Sequence, residues 1–357
     1  MPDNTINNSI PFYLNQEIES ASSVGQLRDI DLRMPEMVRG AIKTGRGIRN
    51  VVQIISCFND AVTRRLIAIL ESAEGIRLPE GATFLVLGSE GRGEQTLRTD
   101  QDNAIVYRDD LPAAELGRVN LFAARLVDAL DEIGVPRCPG GIMASTPDWC
   151  HSVSEWMQLV NQWTTVPTPE HILRFGMFQD LRSLHGDESL VMQLRDHICC
   201  AVQSHGLFLP NMACHVVRFP SPFTIFGRIR TEHSKEHYGL VDLKKAGIFA
   251  ITTGASLLAL EAGIIGGDTW KKLELLGNVG IFSSGDYETI VKAFTFLVQL
   301  RLLQQLRELA DGSKPSNYVD PQLMSDREME QFRLALHGVN TFLWIFREHY
   351  LLDYISM

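Results

Sequence analysis

One stretch of the chain, FLVLGSEGRGEQTLRTDQDNAIVY (84–107), restricts the possible folds more than any other. Two apolar runs within it, TFLVLGS (83–89) and NAIVY (103–107), have the composition of buried β-strands. A glycine-rich segment and then an Asp-x-Asp pair lie between them. The pattern allows two interpretations, a β-hairpin with a polar loop or a phosphate-binding loop that faces a metal site.

The glycine-rich segment contains what a phosphate-binding loop requires. Glycines directly after a strand let the backbone approach an anion closely, and the start of a following helix presents free N–H groups to it. The residues placed for this role are Gly88, Ser89, Gly91, Gly93 and Arg92. The segment is not a Walker A loop, since no Gly-Lys-Ser/Thr follows. It is not a dinucleotide-binding fingerprint either, since its glycine spacing differs.

The Asp-x-Asp pair has the chemistry of a metal site. Asp100 and Asp102 open a predicted strand, and the alternation of strand side chains points both of them to one face. Mg²⁺ prefers such oxygen ligands, and two carboxylates on one face can share a pair of metal ions. Either motif alone is more often a turn or a solvated strand end. The two in succession favour a nucleotide site.

The composition is that of a globular protein and excludes several classes of function. The 357 residues are 45% hydrophobic and 21% charged, with a net charge of −10. This charge argues against non-specific nucleic-acid binding, which needs a basic surface. No apolar run approaches the ~20 residues of a membrane-spanning helix. The six cysteines form no C-x-x-C pair and no secretory signal is visible, so we expect reduced thiols in a cytoplasmic protein.

Hydrophobic periodicity predicts an α+β chain with helices on both sides of the two strands. Helical spacing of apolar residues occurs over 51–69, 111–134, 152–163, 246–265 and 287–312. The short apolar run FGMFQDLRSL (175–184) predicts a further strand across its centre. The expected domains are a helical N-terminal segment (1–75), a domain containing the sheet (76–205) and a helical C-terminal domain (206–357).

The segment GSEGRGEQTLRTDQD resembles the signature of the nucleotidyltransferase superfamily that includes DNA polymerase β and the antibiotic nucleotidyltransferases. It resembles more closely the branch of the PII uridylyltransferase and the glutamine synthetase adenylyltransferase. Closest is a bacterial family of nucleotidyltransferases often found with CBS domains. The resemblance continues through PGGIMASTPDWCHSVSEWMQLVNQW, FQDLRSLHGDESL and GLVDLKKAGI, and covers roughly residues 50 to 345.

The resemblance implies a polymerase-β-like domain with a mixed sheet of four or five strands, flanked by N-terminal helices. A helical-bundle C-terminal domain, which would help to bind an acceptor, is implied after it. Asp100 and Asp102 would be metal ligands, and Asp180 in FQDLR would be the third carboxylate, on a later strand. Arg182 would contact phosphate, orient a carboxylate or form a structural ion pair.

The same resemblance implies that Gly88, Ser89, Gly91 and Arg92 hold the phosphates of a nucleotide. The expected reaction transfers a nucleoside monophosphate from an NTP to an unidentified protein or small-molecule acceptor, with Mg²⁺ or Mn²⁺ as cofactor and pyrophosphate as product. A signalling role is expected with it. The alternative is a catalytically inactive nucleotide sensor or interaction module with the same fold. The oligomeric state stays open, with a homodimer among the options.

Several other residues allow both a functional and a structural interpretation. Glu94 and Thr99 would either orient the loop or cap a helix. The aromatic cluster around Trp156 would either stack on a base or pack in the core. The lysine pair of VDLKKAG (241–247) would either reach a phosphate or lie on the surface. EHSKEH (232–237) lacks the H-E-x-x-H pattern of a zinc protease and predicts a solvated polar helix.

Overall fold

The computed structural model describes residues 10–97, 100–218, 221–224 and 226–354. The chain divides into two compact units. One comprises Met1–Gln162 and Phe175–Ile198, and the other Trp163–Arg174 and Cys199–Met357. The first unit contains the glycine-rich segment and the acidic pair, and the second is mostly helical.

The first unit begins with four helices, and the last of them is a core element. They are α1 (Phe12–Ser20), α2 (Val24–Asp31), α3 (Met34–Lys43) and α4 (Ile48–Ile69). The predicted apolar stripe of α4 is buried, from Val51 to Ile69, and contacts α1, α2 and α3. A π-helical turn, Leu70–Glu74, extends α4 to Gly75, whose left-handed conformation ends it.

A mixed four-stranded sheet follows, as the resemblance implied. Its strands are β1 (Ala82–Val86), β2 (Asn103–Tyr107), β3 (Cys150–Ser152) and β4 (Arg182–Gly186), in the order β3-β2-β1-β4. β1 pairs antiparallel with both β2 and β4, whereas β3 is parallel to β2. All five residues of β1 are buried. The two predicted strands therefore pair as a hairpin, whose long connection contains the glycine-rich segment.

The helices around the sheet follow the predicted periodicity with one exception. They are α5 (Gly88–Gly91), α6 (Ala113–Ile133), α7 (Val153–Thr165), α8 (Pro169–Phe178) and α9 (Glu188–Ser204). The prediction of a strand across the centre of 175–184 is wrong. The apolar residues Phe175 and Phe178 are buried at the three-residue spacing of a helix, so α8 runs to Phe178 and β4 starts only at Arg182.

The second unit is a helical bundle with a small sheet. Its helices are α10 (Phe208–Val216), α11 (Phe249–Glu261), α12 (Thr269–Asn278), α13 (Ser284–Ala310) and α14 (Asp326–His349), and its strands are β5 (Val241–Asp242) and β6 (Tyr318–Val319). The prediction of a buried helix within 246–265 is confirmed by α11. The predicted polar helix over 232–237 is wrong, because this segment forms bends and His237 stacks on Tyr318. Among the described residues, no helix has the length and apolar character needed to span a membrane.

Candidate active site

The glycine-rich segment forms a tight connection directly after β1. The short helix α5 begins at Gly88, which has a positive φ of 52° that favours glycine. The Leu87 N–H donates to the Asp102 carbonyl at 2.9 Å, which ties this connection to the entry of β2. The Glu94 N–H donates to the Ser89 carbonyl at 2.8 Å and closes the turn after α5. Gly88 and Asp102, far apart in the segment, are thus neighbours.

The Asp102 carboxylate lies directly over Gly88. A Cβ atom on Gly88 would lie 3.4 Å from Asp102 Oδ2 and 2.9 Å from the methyl group of Met177. Asp102 is half-buried, and its carboxylate also interacts with the Cys138 thiol. Burial first, and then this carboxylate, raise the pKa of Cys138. The absence of a side chain at position 88 therefore leaves room for the carboxylate next to the loop backbone.

Asp100 and Asp102 precede β2 rather than lying on it. Between them, Gln101 is buried, and its amide donates to the carbonyls of Val127 and Val135 at 3.1 and 3.0 Å. Asp100 is exposed and Asp102 half-buried. This alternation of exposure agrees with the expected strand-like geometry of the pair, since the middle residue enters the core while the two aspartates do not.

Asp180 lies in the turn between α8 and β4 rather than on a strand, as the resemblance had implied. Its carboxylate is held by an arginine of the loop. Arg92 Nη1 donates to Asp180 Oδ2 at 2.9 Å, and Arg92 Nε donates to Glu94 Oε2 at 3.0 Å. All three side chains are largely buried, with the Asp180 side chain 5% exposed. Burial alone lowers the pKa of Arg92, but the Glu94 and Asp180 carboxylates raise it by more. Glu94 thus orients the loop arginine, whereas Thr99 lies outside the described residues.

Gly91 brings the loop backbone against the backbone of Asp180. A Cβ atom on Gly91 would lie 2.1 Å from the Asp180 carbonyl oxygen, a distance that no side chain could occupy. The site residues therefore form two close groups. Gly88 contacts Asp102, while Gly91 and Arg92 contact Asp180, and Ser89 lies between these contacts in α5.

The donor set of the acidic pair suits a divalent metal, but the third carboxylate is already paired. Mg²⁺ in proteins is often held by one or two carboxylates together with substrate phosphates. Asp102 supplies such oxygens beside the loop, and Asp100 lies two residues before it in the chain. Asp180 instead forms the ion pair with Arg92. In the part of the chain that the structure describes, no three His, Cys, Asp or Glu side chains are grouped closely enough to hold a metal ion.

Sequence reasoning missed Glu90, which lies inside the glycine-rich segment. Its side chain faces a cavity lined by Thr63, Gln101 and Asn103 among others. Burial, followed by repulsion from Asp60 and Asp102, raises the pKa of Glu90 from 4.5 to about 8 despite the attraction of Arg182. An acidic residue between two glycines of a predicted phosphate loop was the signal available for this feature.

Other candidates have structural partners. Trp156 is fully buried, donates to the Ile105 carbonyl at 3.0 Å and stacks on Phe178, which confirms core packing. Trp149 is also buried, and His151 contacts the Trp156 ring edge-on. Lys245 pairs with Glu232 at 2.9 Å in the second unit.

The four-stranded mixed sheet, with a glycine loop after β1 and an acidic pair before β2, has the α+β architecture that the resemblance to nucleotidyltransferases implied. Two family models match the chain. The model described as "putative nucleotidyltransferase DUF294" matches residues 32–170, and that described as "putative nucleotidyltransferase substrate binding domain" matches 206–350. Together they cover most of the chain, which belongs to this family of putative nucleotidyltransferases. No curated protein matches the chain. The first match includes Asp100 and Asp102 and ends before Asp180.

Proposed function

We propose that the protein transfers a nucleoside monophosphate from an NTP to a protein or small-molecule acceptor and releases pyrophosphate. One observation carries the proposal: the glycine-rich loop lies directly against the Asp102 carboxylate, with no side chain at Gly88 between them. In such a reaction the phosphate-binding backbone and the metal-binding carboxylate must be adjacent, because the cation would neutralise charge on the phosphates that the backbone holds. The family membership supports the same reaction.

Asp100 and Asp102 would hold the divalent cation, Mg²⁺ or Mn²⁺. When bound, the cation would supply charge neutralisation at the phosphates and would favour ionisation of the acceptor hydroxyl. Asp180 would join these ligands as a third carboxylate after leaving its ion pair with Arg92. Catalysis would then consist mostly of positioning and electrostatic stabilisation.

The loop would hold the phosphates through its backbone. Gly88 and Gly91 would let the phosphates approach closely, and the Ser89 hydroxyl would add a donor. Arg92 uses Nε and Nη1 for Glu94 and Asp180, and its Nη2 group would reach a phosphate oxygen. Because the Glu94 carboxylate would still offset the Arg92 charge after Asp180 has left, we assign most of the phosphate binding to the backbone N–H groups.

We assign acceptor binding to the C-terminal domain. The domain boundaries proposed from the sequence are 1–75, 76–205 and 206–357. The match of residues 206–350 to a model described as a substrate binding domain supports that assignment. The chemical nature of the acceptor and the base of the NTP are left open, since the phosphate site selects neither.

A nucleotide sensor without transferase activity is the second candidate. The ion pair between Arg92 and Asp180 favours it, because it occupies the carboxylate that would complete the metal site. A sensor would bind NTP and metal ion through the loop and the acidic pair, and no acceptor would be modified.

One measurement distinguishes the transferase from the nucleotide sensor. The full chain is incubated with each α-labelled NTP, Mg²⁺ or Mn²⁺, and cell extract as the source of acceptor. We expect label on an acceptor. The rate of labelling should fall at least about 100-fold in Asp102→Asn, because the variant lacks a carboxylate that would bind the cation. A matched control, Asp128→Asn, removes an exposed carboxylate whose described partner is the surface residue Arg137. Tight NTP binding without transfer would overturn the proposal and support the sensor.

A further inference from the structure

Helix α4 and strand β4 are joined by a buried ion pair close to the loop. Asp60, near the middle of α4, is 7% exposed. Arg182, the first residue of β4, donates to it twice: Nη1 lies 2.7 Å from Oδ2 and Nη2 lies 2.9 Å from Oδ1. This bidentate contact fixes the plane of the guanidinium as well as its position.

The same guanidinium also holds the glycine-rich loop. Arg182 Nη2 donates to the backbone carbonyl of Glu90, within α5, at 3.0 Å. That carbonyl also accepts the Gly93 N–H at 3.0 Å. Because a carbonyl group moves only with its own backbone, the contact restrains the loop itself and not merely a side chain.

A second arginine supports Asp60 from the solvent side. Arg64 Nη2 lies 3.4 Å from Asp60 Oδ2, and Arg64 Nε donates to the Leu184 carbonyl of β4 at 3.3 Å. A buried ion pair is seldom the most stable solution, because apolar residues of similar volume often stabilise a fold as well or better. What this arrangement provides beyond stability is a fixed direction for the Arg182 donors.

We propose that Asp60 and Arg182 are positioning residues for the nucleotide site. Asp60 orients the Arg182 guanidinium, which holds the Glu90 carbonyl and so fixes the direction of the loop N–H groups. The N-terminal helix α4 is thereby part of the active-site structure, although the sequence suggested a separate segment. The effect on nucleotide binding rests on the proposed function, whereas the effect on the loop does not.

The test replaces Arg182 with lysine in the full chain. A single ammonium group keeps the charge opposite Asp60 but cannot make two parallel bonds to it and reach the Glu90 carbonyl as well. Hydrogen exchange without nucleotide should become faster at the amides of residues 91–94, which are hydrogen-bonded within the loop. Nucleotide affinity or transfer rate should fall by about 10–100-fold, as when other supporting contacts of a site are lost. Asp60→Asn should give the same pattern with a smaller effect.

A matched control is available in the same unit. Arg125 makes a comparable bidentate contact with Glu74, with Nε–Oε2 at 2.7 Å and Nη2–Oε1 at 2.8 Å. Its Nη1 donates to Glu132 at 2.9 Å, so its partners among the described residues lie outside the loop. Arg125→Lys should leave both loop exchange and nucleotide affinity unchanged.

Two results would overturn the inference. One is exchange at residues 91–94 in Arg182→Lys that equals that of wild type. The other is exchange that rises evenly across the first unit, in step with a lower melting temperature, since this would indicate a purely stabilising ion pair. If the wild-type chain binds no NTP, the proposed function fails. Hydrogen exchange at residues 91–94 would still show whether Asp60 and Arg182 position the loop.

Discussion

At the scale of single residues, the site depends both on a glycine that leaves space and on an arginine that holds a carboxylate. Gly88 leaves room for the Asp102 carboxylate, and Arg92 holds Asp180 in place. Glu90 differs from these residues because its carboxyl group interacts electrostatically with Asp60, Arg182 and Asp102. Its protonation state therefore affects the free energy of the fold.

Glu90 should make stability depend on pH. Its pKa is about 8 in the folded chain and near 4.5 when unfolded, so between these values the folded state keeps a proton that the unfolded state has lost. Raising the pH through this range should lower the free energy of unfolding by up to about 1.4 kcal/mol per pH unit. Glu90→Gln cannot titrate, so the wild-type free energy of unfolding minus that of the variant should decrease from pH 5 to pH 8 and then level off. Urea unfolding of both proteins over this pH range measures the two free energies. A difference between them that does not change with pH would contradict the prediction.

At the scale of elements, the short helix α5 is fixed at both ends. Its start is tied to the entry of β2 through Leu87 and Asp102, and its end packs on the turn before β4 through Gly91. A four-residue helix has little intrinsic stability. Its position therefore depends on these contacts, and the most restrictive of them is the one at Gly91.

Gly91→Ala should displace α5. The new methyl group would overlap the Asp180 carbonyl, which is backbone and cannot rotate away. We expect a loss of about 1–3 kcal/mol in the free energy of unfolding, together with loss of nucleotide binding.

The control is Gly117→Ala in α6, where a Cβ atom would meet nothing within 4 Å. This change should be neutral or stabilising by up to about 1 kcal/mol. Urea unfolding and NTP titration of both variants test the pair. Equal behaviour of Gly91→Ala and Gly117→Ala would show that α5 tolerates a side chain at this contact.

At the scale of the whole molecule, features with a local sequence pattern could be predicted, whereas contacts between residues far apart in the chain could not. The strands β1 and β2, the buried stripe of α4 and helices α6, α11 and α13 follow from periodicity and from glycines at their ends. The mixed sheet followed from the resemblance. The contact between Asp60 and Arg182 did not, because residues 122 positions apart leave no local pattern. The helix over 169–178 was missed because its short apolar run is ambiguous between helix and strand.

The same reasoning applies to the candidate site. The loop and the acidic pair could be recognised because glycine and aspartate have few structural reasons to occur in that order between two strands. The ion pair of Asp180 with Arg92 could not be predicted, since a carboxylate in a D-L-R motif can pair with an arginine or bind a metal ion equally well. Only the geometry, with Arg92 Nη1 2.9 Å from Asp180 Oδ2, assigns the partner.

The central claim is that the chain transfers a nucleotidyl group, and the position of the label tests it most directly. The full chain is incubated in parallel with α-labelled and γ-labelled forms of the NTP that it consumes, with Mg²⁺ and acceptor present. We predict that the α-label appears on the acceptor and the γ-label in an equal amount of pyrophosphate. Both should fall at least about 100-fold with Asp102→Asn. Transfer of the γ-label to the acceptor, or no consumption of any NTP by the wild-type chain, would contradict the account.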